Sequence, residues 1–69
     1  MILITLEELL KQKGISRYQL SQMTNTKYQT IDNYYKNRVT RYDGYLLSKI
    51  CKALDCEVGD ILKYVEDET

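Results

Sequence analysis

Between Asn25 and Arg41 the chain reads NTKYQTIDNYYKNRVTR, and here its hydrogen-bonding side chains gather. On a helix starting at Thr26, the side chains of Lys27, Tyr28, Gln29, Thr30 and Asn33 are displayed together, while Ile31 and Tyr34 are kept for the interior. Amide, hydroxyl and ammonium groups on the first turns of a short helix suit the edge of a DNA major groove. A Gln29 or Asn33 amide pairs with adenine, Lys27 meets guanine or phosphate, and Thr30 touches a thymine methyl. An ordinary solvated helix face has the same composition, so the pattern alone leaves both readings open. Thr26 followed three positions later by Gln29 is also a capping-box signature, which sets capping and base contact in competition for one amide. Tyr28 either packs on sugar and thymine methyls or lies on Tyr18 or another neighbour.

Little else in the chain can do chemistry. There is no His, and no Gly-rich phosphate loop follows a strand, which leaves nothing for general-base or cofactor work and argues against an enzyme, a cofactor or a small-molecule substrate. Cys51 and Cys56 have no second cysteine pair and no His with which to complete a metal site. Cys51 falls between Leu47 and Leu54 on an apolar helix face and is expected to be a small buried thiol, with Cys56 just past the helix end and partly exposed. A chain of 69 residues makes one domain and buries only roughly 60% of its unfolded surface, too little for a walled cleft.

At 43% hydrophobic and 29% charged residues the composition is that of a folded soluble domain and not of a disordered tail. The apolar start, Met1 to Leu6, is far shorter than the roughly 20 residues of a bilayer span. No basic leader or cleavage pattern accompanies it, so a soluble, cytoplasmic protein with no membrane partner is expected. Net charge is zero, yet its distribution is uneven. From Lys11 to Arg41 the cations Lys11, Lys13, Arg17, Lys27, Lys36, Arg38 and Arg41 are opposed only by Asp32, whereas acids outnumber lysines from Asp43 onward. A basic half and an acidic half would attract and orient a polyanion, unless the segregation is chance.

The elements that must position these residues read as helices. Absence of proline favours a continuously helical architecture. Thr5 with Glu8 forms a capping-box pattern, Leu6, Leu9 and Leu10 give an amphipathic stripe, and Gly14 after Lys11 and Lys13 is a stop. Ser16 with Gln19 opens a second helix, Arg17 to about Met23, with Leu20 and Met23 inward. Thr24-Asn25-Thr26 is too short for a long-armed hairpin, so the third helix must cross the second steeply, with Asn25 left-handed. These two helices and their turn make a helix-turn-helix. Asp43 caps a fourth helix, with Tyr45, Leu46, Leu47, Ile50, Cys51 and Leu54 as its apolar stripe. A short fifth helix is expected over Val58 to Tyr64, and Met1 to Ile4 either packs across the body or starts the first helix. The division is a domain over 1–64 and an acidic, frayed tail over 65–69.

LEELLKQKGISRYQLSQMTNTKYQTIDNYYKNR followed by LLSKICKALDCEVGDILKY resembles the phage-repressor helix-turn-helix family, the Cro and cI-like or xenobiotic-response-element type, in its short single-domain bacterial or phage members. The resemblance covers Leu6 to Leu62 and implies an all-α, compact five-helix, lambda-repressor-like domain. It further implies a transcription regulator, repressor-like in form, that binds double-stranded operator DNA as a homodimer, without cofactor or catalysis. Carried onto this chain, it puts Lys27, Tyr28, Gln29, Thr30 and Asn33 in the major groove. Ser16, Arg17 and Gln19 at the start of helix 2, and Lys36, Arg38 and Arg41 after helix 3, then follow phosphates and position the domain without reading sequence. Asn25 and Asn37 stand where the family commonly has Gly. Candidates for the dimer surface are the fifth helix and the tail, including Tyr64 and Val65. A rival reading uses the same fold as a protein-interaction module, antitoxin-like or a phage-encoded inhibitor, which the neutral charge and seven tyrosines favour.

Overall fold

The computed structural model of the chain describes residues 1–66. Its elements are β1 (Ile2–Ile4), α1 (Leu6–Lys13), α2 (Arg17–Met23), α3 (Tyr28–Tyr35), α4 (Gly44–Leu54), a single 3-10 turn (Val58–Asp60) and β2 (Leu62–Tyr64). The helices enclose a core in which Leu6, Leu10, Leu20, Ile31, Ile50 and Ile61 are fully buried. Each such side chain contributes about 1.5–3 kcal/mol relative to exposure.

The five-helix expectation is corrected to four helices and a two-stranded antiparallel sheet, with Ile2 opposite Tyr64, Leu3 opposite Lys63 and Ile4 opposite Leu62. Local pattern favoured a fifth helix because Ile61 and Leu62 follow acids that suit a helix start. Glu57 and Asp60 do cap each other, but they close only the 3-10 turn. Beyond it, the backbone groups find their partners on β1, so pairing with a distant segment overrides local preference. The first residues, expected to pack across the body or begin α1, are that partner strand. Val65 extends the ladder, its N–H donating to the Met1 carbonyl at 2.8 Å. Residues 67–69 of the expected tail lie outside the described residues.

Sheet closure also changes how α1 begins. Thr5 caps nothing: its hydroxyl donates to the Asp60 carbonyl at 2.8 Å and its N–H to the Ile61 carbonyl at 2.6 Å. Ser16 and Gln19, by contrast, form the complete reciprocal capping box at the start of α2. Asp43 caps α4 through the Tyr45 N–H at 3.0 Å. The buried Tyr34 hydroxyl accepts the Asp43 N–H at 3.0 Å, which ties the end of α3 to the start of α4.

All four helices stop the same way. Gly14, Asn25, Asn37 and Asp55 have φ of 66°, 50°, 59° and 51°, and the N–H of the next residue in each case reaches back to a carbonyl five residues earlier. This is the Schellman closure, for which Gly is the cheapest residue and Asn and Asp are tolerated substitutes. At α4 the closure joins Cys56 N–H to the Cys51 carbonyl at 3.0 Å and brings the two side chains together, both half-buried. Two expected inward residues point out instead: Met23 is 49% exposed and Tyr45 is 74% exposed. Met23 sits in the last turn of α2, where Leu20 and Ser21 already fill the interior, and Tyr45 lies under the Lys49 ammonium.

Candidate nucleic-acid interface

The helix-turn-helix is built from α2, the turn at Thr24 to Lys27 and α3. Thr24 is buried and its hydroxyl donates to the Leu20 carbonyl at 2.8 Å, while left-handed Asn25 reverses the chain. Ser21 is buried in α2, its hydroxyl donating to the Tyr18 carbonyl at 2.6 Å. Thr26 does not cap α3. Its N–H closes α2 on the Ser21 carbonyl and its hydroxyl donates to the Thr24 carbonyl, so Lys27 takes the cap position with no side-chain bond.

That correction removes the helix-start role from Gln29. Its amide is not drawn to the helix start; Nε2 donates to the Asn33 Oδ1 at 3.1 Å, one turn along the same face. Of the residues expected to face a groove, Lys27, Tyr28 and Gln29 are exposed, while Thr30 and Asn33 are half-buried. Two amides joined edge to edge leave the Gln29 oxygen and the Asn33 amino group for a second partner. Ser16 and Gln19, expected near phosphates, are exposed and engaged in capping each other. Arg38 and Arg41 are exposed in the loop after α3 and make no ion pair among the described residues.

Arg17 and Lys36 are placed differently from a pair of free surface cations. Arg17 Nη1 lies 2.6 Å from Asp32 Oδ1, and Lys36 Nζ lies 3.1 Å from Asp32 Oδ2. The Arg17 guanidinium also stands over the Tyr35 ring at 4.4 Å. Asp32, only 6% exposed, is thus the centre of a charged cluster beneath the outer face of α3. Burial pushes its pKa upward, but the hydrogen bonds from Lys36 and Arg17 outweigh that and hold it below the ordinary carboxylate value. The four-residue spacing of Asp32 and Lys36 on one helix was a readable signal for half of this cluster. Arg17, fifteen positions earlier on another helix, offered none.

Among the described residues, no group of three or more His, Cys, Asp or Glu side chains is arranged to hold a metal ion. No helix is long and apolar enough to cross a membrane.

A turn-linked helix pair on a four-helix core, presenting amides and cations on the second helix, defines a helix-turn-helix domain. The Cro/C1-type helix-turn-helix DNA-binding domain matches residues 5–67, and the chain belongs to that family. No curated protein matches the chain. Membership makes this a DNA-binding domain of the transcription-regulator type, and its partner class double-stranded DNA.

Proposed function

We propose that the chain is a sequence-specific transcription regulator that lays α3, with Lys27 and Lys36 flanking it, in the major groove. The observation that carries this reading is the Gln29–Asn33 amide pair on the outer face of the second helix of a helix-turn-helix. In this reading Gln29 and Asn33 address adenine as a unit, Lys27 meets guanine or phosphate, and Thr30 and Tyr28 touch thymine methyls. Ser16, Arg17, Gln19, Lys36, Arg38 and Arg41 fix the register on phosphates. The molecule works as a homodimer on two half-sites roughly 34 Å apart, in the cytoplasm of a prokaryotic cell. A net charge of zero supports dimerisation, because one copy offers few unopposed cations to the backbone.

Selection of bound sequences from a random duplex pool, at low and at moderate salt, tests this. An enriched inverted repeat with half-sites one turn apart is expected. Gln29→Ala should then reduce discrimination between that operator and random duplex, whereas Arg38→Ala should weaken both alike. Equal losses for both variants on both DNAs would refute the division of labour. The rival, a protein-interaction module, draws on the exposed rings of Tyr18, Tyr28, Tyr45 and Tyr64. It predicts no enrichment and a partner affinity that barely responds to salt.

A further inference from the structure

The Asp32 cluster is more than a structural ion pair. Its carboxylate presents two oxygens, one to a guanidinium and one to an ammonium, which is the arrangement a DNA phosphate would ask of the same two donors. Arg17 begins α2 and Lys36 ends α3, so the cluster spans the two helices that carry the interface. Arg17 is restrained twice over, by Asp32 on one side and the Tyr35 ring on the other. Asp32 itself is nearly enclosed, and no buried polar side-chain atom of the described residues is left without a partner. It is therefore not placed to contact DNA; it is placed to hold the groups that do.

We propose that Asp32 is a specificity-determining residue: an internal phosphate surrogate that tethers Arg17 and Lys36 and so suppresses sequence-independent binding. This rests on the DNA-recognition reading above and adds a role for a residue that contacts no base. Two physical effects act together. The carboxylate offsets part of the cationic charge that any duplex would attract, and sequence-independent binding is almost wholly that attraction. Tethering also removes adaptability. A free Lys or Arg side chain follows a phosphate in any docked orientation, whereas a held one serves only the phosphate that correct seating of α3 brings to it. Both effects fall more heavily on random duplex than on an operator, where base contacts impose the orientation.

The test is Asp32→Asn, nearly the same shape with the charge removed, in the full chain with its fold verified by circular dichroism. Binding is measured by fluorescence anisotropy to the selected operator and to a random duplex, each over a salt series. The inference expects tighter binding of random duplex, a log-log salt slope steeper by about 0.9 for each cation released onto a phosphate, and a lower operator-to-random ratio. Random-duplex affinity that is unchanged or lower would overturn it. Should the variant fail to fold, Lys36→Gln in the otherwise native chain decides. On random duplex a tethered Lys36 predicts a slope change well under about 0.9, and a full change of that size there refutes the tether. A native chain that binds no duplex at any salt overturns the DNA reading and this inference together. Native binding without the Asp32→Asn gain overturns this inference alone.

Discussion

At the scale of single residues, burial decides what the ionisable groups can do. Asp32 keeps its charge while nearly enclosed because Lys36 and Arg17 supply hydrogen bonds from opposite sides. Its folded pKa therefore lies below the reference value of 3.8, and its contribution to stability is complete above that pH and lost as pH falls through the folded value. Urea unfolding between pH 5 and pH 2 should show this loss in the native chain and a shallower acid dependence in Asp32→Asn. The Cys56 thiol behaves oppositely. Burial first, and then contact with Cys51, pushes Cys56 up to about 11, so almost none is thiolate near neutrality. Folded protein at pH 8 should alkylate at Cys56 about a hundredfold more slowly than an unperturbed thiol, and unfolding in urea should abolish the difference. Fast alkylation of the native chain would mean that the thiol is not desolvated. The pair Cys51 and Cys56 is thus the apolar contact that accompanies a Schellman closure, made in sulfur.

At the scale of elements, the left-handed stops separate conformational cost from bonding. Asn25 and Asn37 share a positive φ, but Asn37 alone lends its side chain elsewhere, its Oδ1 accepting the Ile4 N–H at 3.2 Å. Asn25→Gly should leave stability within about 0.5 kcal/mol or improve it, since Gly needs no strain there. Asn37→Gly keeps the turn yet forfeits the bond to β1, with an expected loss of about 0.5–1.5 kcal/mol in urea unfolding. Similar outcomes for the two would show that the Asn37 bond contributes nothing. The same distinction between near and far partners explains what the sequence revealed. The Ser16–Gln19 box, Asp43, Gly14, Asn25 and the Gln29–Asn33 side of α3 were legible because each interaction closes within five residues. Thr5 looked like an equal cap and is not one, because its partners lie at Asp60 and Ile61. β2 resembled a helix for want of any local sign of β1. Arg17 read as a free phosphate contact, since nothing near it in sequence announces Asp32.

At the scale of the molecule, β1 and β2 meet in a ribbon whose edges are both blocked. On β1 the Ile4 N–H is already donated to Asn37, and β2 carries the exposed Lys63 at its centre. Two copies joined antiparallel along β2 about a two-fold axis at Lys63 would set like ammonium groups against each other, the usual defence of an edge strand. The open apolar surface lies instead on the Ile2–Tyr64 pair, facing each other across the ribbon, 43% and 68% exposed. The proposed homodimer should therefore meet through this pair and not through strand addition. Sedimentation equilibrium distinguishes the two geometries. Tyr64→Ser should weaken self-association about tenfold or more, as expected for a buried aromatic anchor, while Lys63→Thr should leave it nearly unchanged. If Lys63→Thr instead tightens association and Tyr64→Ser does not weaken it, the copies pair along the edge after all. The DNA readout then follows from the same pair of variants. Loss of the dimer through Tyr64→Ser should reduce affinity for a two-half-site operator far more than for a single half-site, because α3 and its contacts are untouched and only the coupling between half-sites is gone.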